Sequence, residues 1–279
     1  LQDLYRFFKL SPYRKEFDDV FRGTLNFHKT TLFNMVFKDS ESVSTFADYY
    51  FGKDFYIEAL DLYTELINDS PEEAQLYEKA AYCYQQIAEY EKALEMYRRA
   101  EILDRKIWTL KKIGFCNRRL GRHGEALKYY MEAEKMDPGN MHTIAMIGHC
   151  YLDMEDYDAA LKYYFKVEYN DPKNLRILKP IAWCYLVQGK YEQSKKYMDK
   201  IGKAGMTGHD YINAGHLALC MGERMKAIEY YRRSIIEGKK GKSDFQDIFN
   251  DDAEMLIANK IDPDDLPIIT DYLFFDLED

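Results

Sequence analysis

The chain has 279 residues, 47% hydrophobic and 15% aromatic, with a net charge of −9. That apolar share supports an extended buried core and excludes a disordered chain. No apolar run approaches the ~18 residues of a membrane span, and no signal peptide is visible, though the start at Leu1 without Met also fits a fragment or a processed form.

In chain order, residues 1–39 come first. Leu4, Phe7 and Phe8, then Phe17, Val20, Phe21 and Leu25, fall at helical spacing on either side of Ser11-Pro12. They predict one or two helices that cover the open edge of the first repeat. From residue 40 to residue 241 the chain repeats. Cys83, Cys116, Cys150 and Cys184 are 33, 34 and 34 residues apart. Ala93, Ala126 and Ala160 follow the first three by ten residues, and Tyr97, Tyr130 and Tyr164 by fourteen. A fixed step of this size marks a solenoid of helical hairpins, each with an apolar face that only stacking can bury. Turn residues recur as Gly52-Lys53-Asp54, Gly121, Gly189 and Gly222, and Asp137-Pro138 and Asp171-Pro172 stop helices. No segment alternates with period two for long enough to suggest a sheet, so the fold class is all-α. From Asp244 one helix is expected through about Asn259. A second is expected from Asp262-Pro263, with Leu266, Ile268, Ile269, Tyr272, Leu273 and Phe274 on its apolar side and a polar outer face.

This period and these residues together resemble the tetratricopeptide repeat. Six units start near Ser40, Ala74, Ile107, Met141, Leu175 and Gly208, and together they cover about 200 of the 279 residues. The third unit matches through Ile113-Gly114, Ala126, Tyr130, Ala133 and Pro138, and the fourth through Ile147-Gly148, Tyr151, Ala160, Tyr164 and Pro172. Later units drift: Ser194 and Met198 replace the alanine and the aromatic in the fifth, and Ala218 replaces a tyrosine in the sixth. Residues 1–17 also resemble the N-terminal lead-in of some bacterial members. The resemblance implies a right-handed solenoid with a helical cap at each end, residues 1–39 and 242–279. It also implies that the first helix of each hairpin lines a concave groove.

Carried onto this sequence, the groove positions give the row Tyr82, Phe115, His149, Trp183 and His216, with Asp48 at its start. Trp108 and Arg176 join it, as do Lys111, Lys179, Arg118 and Arg119. An aromatic and cationic strip suits an extended peptide, with rings taking apolar side chains and cations taking carboxylates. Core packing is the competing reading for Phe115 and Trp183. The carboxylate clamp of chaperone-binding members needs asparagines that this chain lacks: Phe115 follows Lys111, and Trp183 follows Lys179. Chaperone tails are therefore not the expected ligand.

The charge is unevenly spread. From Asp244 to Asp279, ten Asp and two Glu face Lys260 alone, a net −11, so the other 243 residues carry +2 of the total of −9. That balance argues against nucleic acid as a partner. The periodic cysteines read as small core residues, and reduced thiols fit the cytoplasm. Gly238 to Ser243 ends like a phosphate loop, but no strand precedes it and its first glycine is missing. His142 with His149, and His209 with His216, lie seven apart, without a carboxylate or thiol to complete a metal site. No catalytic, metal or cofactor site is therefore expected. The expected function is a non-catalytic scaffold for a protein or peptide partner with acidic groups. The alternatives are self-association or autoinhibition through the acidic tail, which would make a homo-oligomer or a closed chain, and the docking or sensory part of a larger regulator.

Overall fold

The computed structural model describes His28, residues 39–238 and residues 241–277. The helices expected in residues 1–39 lie outside these, apart from His28 and Asp39. His28 is buried, its Nε2 3.2 Å from Asp61 Oδ2. Among the described residues there are only helices and turns, with no strand.

Two compact units divide the chain, residues 1–137 and 138–279. The first holds three hairpins: α1 (Ser40–Gly52) with α2 (Tyr56–Asp69), α3 (Ala74–Gln86) with α4 (Tyr90–Leu103), and α5 (Ile107–Arg119) with α6 (His123–Met136). The second holds three more: α7 (Met141–Asp153) with α8 (Tyr157–Asn170), α9 (Leu175–Val187) with α10 (Tyr191–Ala204), and α11 (Gly208–Cys220) with α12 (Arg224–Ile236). It ends in α13 (Lys242–Asp251), α14 (Ala253–Ala258) and α15 (Asp265–Asp276).

Local chemistry sets the helix ends. The Asp39 carboxylate accepts the Ser42 N–H at 2.8 Å ahead of α1, and Asn140 accepts the Thr143 N–H at 3.0 Å ahead of α7. Thr207 and Asp210 form a reciprocal capping box on α11. Within every hairpin, the middle residue of a three-residue turn takes a left-handed backbone. Gly121, Gly189 and Gly222 do so with φ of 73°, 69° and 79°, but Asp54, Ala88 and Glu155 do so as well, with φ of 61°, 62° and 61°. The residue after it returns its N–H to a carbonyl five residues back, as in Phe55 to Tyr50 at 2.9 Å and Asp156 to Tyr151 at 2.9 Å. This closes the first helix with the hydrogen bonds of a Schellman-type cap.

Small residues let the paired helices approach. In the first unit Tyr97 is fully buried and Tyr130 nearly so, and a Cβ on Gly114 would stand 2.9 Å from the Tyr130 ring. In the second, a Cβ on Gly148 would stand 2.5 Å from the Tyr164 ring. The drift in the fifth hairpin has a physical reason: buried Ser194 donates from Oγ to the Ala182 carbonyl at 2.8 Å, tying α10 to α9. Cys83, Cys116, Cys150 and Cys184 are all buried and form no disulfide, and burial pushes the thiols of Cys83, Cys116 and Cys184 up to about 12.

The C-terminal cap departs from expectation. The helix predicted from Asp244 to Asn259 breaks at Asp252 into α13 and α14, and Phe245, Phe249 and Leu256 all enter one core with Ile212, Leu219 and Tyr231. The last helix begins at Asp265, because the Asp262 carboxylate accepts the Asp264 N–H at 3.0 Å and holds Pro263 in a turn. Its apolar residues occupy two faces. Leu266, Ile269 and Leu273 are buried, whereas Ile268, Tyr272 and Phe275 are 63%, 49% and 69% exposed. The outer face of the cap is therefore not the polar one the sequence suggested.

Candidate peptide-binding surface

In the first unit the surface is built on α5. Leu110, Ile113, Gly114 and Cys116 bury one side of that helix. Trp108, Lys111, Phe115 and Arg118 sit at steps of three or four residues along the other side, and Arg119 adjoins Arg118, so helical geometry brings them together. Trp108 and Arg119 are exposed, and Lys111, Phe115 and Arg118 are half-buried. The helix carries four cations and no carboxylate.

Aromatic rings connect this face to its neighbours. Tyr82 of α3 is half-buried, with its centroid 5.4 Å from Phe51 and 6.2 Å from Tyr56. The Lys112 ammonium lies 4.9 Å from the Tyr82 ring centre and 5.4 Å from that of Trp108. Burial holds this lysine below its ordinary pKa. Trp108 stands edge-on to Tyr97 at 5.8 Å, and Phe115 edge-on to Tyr90 at 6.1 Å. Arg119 donates from Nε to the Tyr90 hydroxyl at 3.2 Å. The sequence reading missed Lys112 and Tyr90. The groove pattern selects Lys111, yet its neighbour is the cation held between two rings.

The second unit gives a smaller surface. Arg176 is exposed on α9, and Trp183, two turns on, is half-buried against the core of that unit. His149 of α7 is half-buried, its Nδ1 2.9 Å from the Tyr164 hydroxyl. The same arrangement, in which a first-helix residue is bonded by a tyrosine fifteen residues on, recurs as Asp48 with Tyr63 at 2.6 Å and His216 with Tyr231 at 2.9 Å.

Two expected groove residues are otherwise engaged. Lys179 Nζ is 2.7 Å from the buried Asp210, so the carboxylate it holds is internal. His216 is fully buried rather than open to a groove. Its Nδ1 meets Tyr231, its Nε2 is 3.2 Å from Asp252 Oδ2, and its ring lies 5.8 Å from Phe249. The cap helix α13 covers it. In a neutral imidazole, an Nε2 proton donated to the Asp252 carboxylate leaves Nδ1 to accept from Tyr231. Among the described residues no three His, Cys, Asp or Glu gather to hold a metal, and no helix is long and apolar enough to cross a membrane.

The sequence matches the family model of the tetratricopeptide repeat at residues 112–140 and 142–174. A tetratricopeptide repeat protein from Parabacteroides merdae is 16% identical, with 92% of this chain and 99% of that one covered and a TM-score of 0.61. PilW, a type IV pilus biogenesis factor, is 18% identical over 75% of this chain and 97% of its own, with a TM-score of 0.63. PilF of Pseudomonas aeruginosa is 18% identical over 76% and 97%, with a TM-score of 0.59. At these identities the likeness is one of fold. No curated protein matches the chain.

Proposed function

We propose that this chain, a tetratricopeptide-repeat solenoid, is a non-catalytic protein-binding scaffold whose α5 face takes an extended peptide bearing carboxylates and apolar side chains. One observation carries the reading: α5 presents four cations and no carboxylate, beside the rings of Tyr82, Trp108 and Phe115. Lys111 forms no ion pair among the described residues, so a ligand carboxylate displaces no internal partner there. The α5 cations, Arg119 the most open of them, steer an acidic segment and set its register, while the rings supply contact area. In the second unit Arg176 and Trp183 offer the same pairing on a smaller scale. The five cysteines form no disulfide, which supports residence in the cytoplasm as part of this reading.

The test is binding to an array of extended peptides in which Asp or Glu alternates with Leu or Phe at varied spacing. Wild type is expected to select members that hold both kinds of residue. Lys111→Glu with Arg119→Glu is expected to lose that selection by tenfold or more while helical circular dichroism is unchanged. Selection that survives the double variant would refute the assignment of this face.

A further inference from the structure

The last helix leaves an apolar stripe open, and its chemistry restricts what can cover it. Ile268, Tyr272 and Phe275 occupy steps of four and three residues on α15 and are the exposed counterpart of the buried Leu266, Ile269 and Leu273. Exposed Asp264 and Asp271 flank them, within a segment that carries net −11 from Asp244 onward. A stripe of large apolar groups rimmed by one sign of charge marks an interaction surface. Two copies of this stripe would set −11 against −11, which disfavours a symmetric pairing. Its occupant must instead be cationic and must offer rings or aliphatic groups between its charges.

This chain already contains such a surface. On α5, Lys111 and Arg119 stand beside Trp108 and Phe115 with no carboxylate on the helix. We infer that the outer face of α15 in one copy docks on the α5 face of a second copy, in a head-to-tail contact. Tyr272 and Phe275 lie against Trp108 and Phe115, and Asp271 meets Lys111 or Arg119. The inference rests on the proposed α5 face and names its occupant. The contact joins two different surfaces, so each copy keeps one of them open and assembly continues beyond a pair. Charge steering makes it sensitive to salt: the screening length shrinks from about 10 Å at 0.1 M to about 3 Å at 1 M.

Sedimentation velocity of the full chain tests it over a hundredfold range of concentration. Wild type is expected to grow in mass with concentration at low salt and to return to single chains in 1 M salt. A tail variant, Ile268→Ser with Phe275→Ser, and a face variant, Lys111→Glu with Arg119→Glu, should each stay single. All four positions are exposed or half-buried, so both variants should keep wild-type circular dichroism. Mixing the two variants is the decisive step. Each retains the surface the other lacks, so the mixture should form a complex of one copy of each and grow no further. A mixture that stays single would overturn the inference, as would wild-type growth that persists in both variants. A wild type that stays single, and whose peptide affinity rises in the tail variant, would place the tail in its own groove and overturn the second-copy occupant. Should association fail while the peptide array still selects through Lys111 and Arg119, the occupant is wrong and the face stands. Should both fail, the α5 reading falls with it.

Discussion

His216 separates the two readings of the sixth hairpin. A groove residue can be truncated with little effect on stability, whereas a buried residue with two partners cannot. In His216→Ala the Tyr231 hydroxyl loses its acceptor at 2.9 Å and the Asp252 carboxylate loses its donor at 3.2 Å. Leaving a buried polar group unsatisfied costs about 1–3 kcal/mol. Tyr231 is fully buried and bears that penalty, while Asp252 is 23% exposed and recovers part of it from water. The vacated ring space between Tyr231 and Phe249 adds a cavity term of roughly 24 cal/mol per Å³. The sum is a loss of about 3 kcal/mol, concentrated in the last hairpin and its cap. The assay is hydrogen exchange across α11 to α15, together with urea unfolding followed by circular dichroism. Amides of α13 and α14 should lose most of their protection, with α7 and α8 unchanged, because stability in a stacked array is set by neighbouring units. His149→Ala, which removes the 2.9 Å partner of the Tyr164 hydroxyl, should cost about 1 kcal/mol through that bond. A His216→Ala loss below about 0.5 kcal/mol, the range of ordinary surface substitutions, would refute the buried placement.

The turns, the close contacts and the thiols have consequences of their own. Ala88 holds a left-handed backbone that costs a non-glycine residue about 1–2 kcal/mol, so Ala88→Gly should raise the urea midpoint by a net of about 0.5–1 kcal/mol after the entropy of glycine is counted. Gly121→Ala should lower it by a similar amount; equal midpoints for both would refute the strain argument. Gly148→Ala forces the Tyr164 ring to move, an overpacking of about 1–3 kcal/mol that exceeds the ~1 kcal/mol helix gain of alanine, so calorimetry should show a lower Tm. Thiol labelling at pH 8 should reach half-buried Cys220 first and slowly, since burial pushes its pKa up to about 11, and should reach the other four only on unfolding. Early labelling of Cys116 would contradict the packing of α5.

The hairpin array was legible because its causes are local and repeated. The cysteine ladder, the Gly or Ala ahead of it and the tyrosine that fills the space beside Gly114 or Gly148 all lie within one hairpin, so each unit states them again. What escaped the sequence depends on contacts between one hairpin and the next element, whose residue types change from unit to unit: Glu78 meets Thr109 where Lys179 meets Asp210. Lys179 belongs to Asp210 because Asp210 caps the next first helix, and His216 is covered because α13 returns over it, facts that the single period cannot contain.

One pairing inside the hairpin recurs along the array. Where the groove row is polar and able to accept, at Asp48, His149 and His216, a tyrosine stands fifteen residues on and bonds to it. In the fifth hairpin the row is Trp183, which accepts nothing, and the residue fifteen on is Met198. The tyrosine is not confined to such units, however: Tyr130 stands fifteen residues after Phe115, and Tyr97 fifteen after Tyr82, where its hydroxyl donates to Gln85 at 3.2 Å instead. The row therefore has two kinds of member: those tied inward by a tyrosine, and those, Tyr82, Phe115 and Trp183, whose rings are not spent on that bond. In the proposed reading the ligand therefore meets α5 and its neighbour α3, with a lesser contact on α9, and the buried His216 keeps the sixth hairpin out of it.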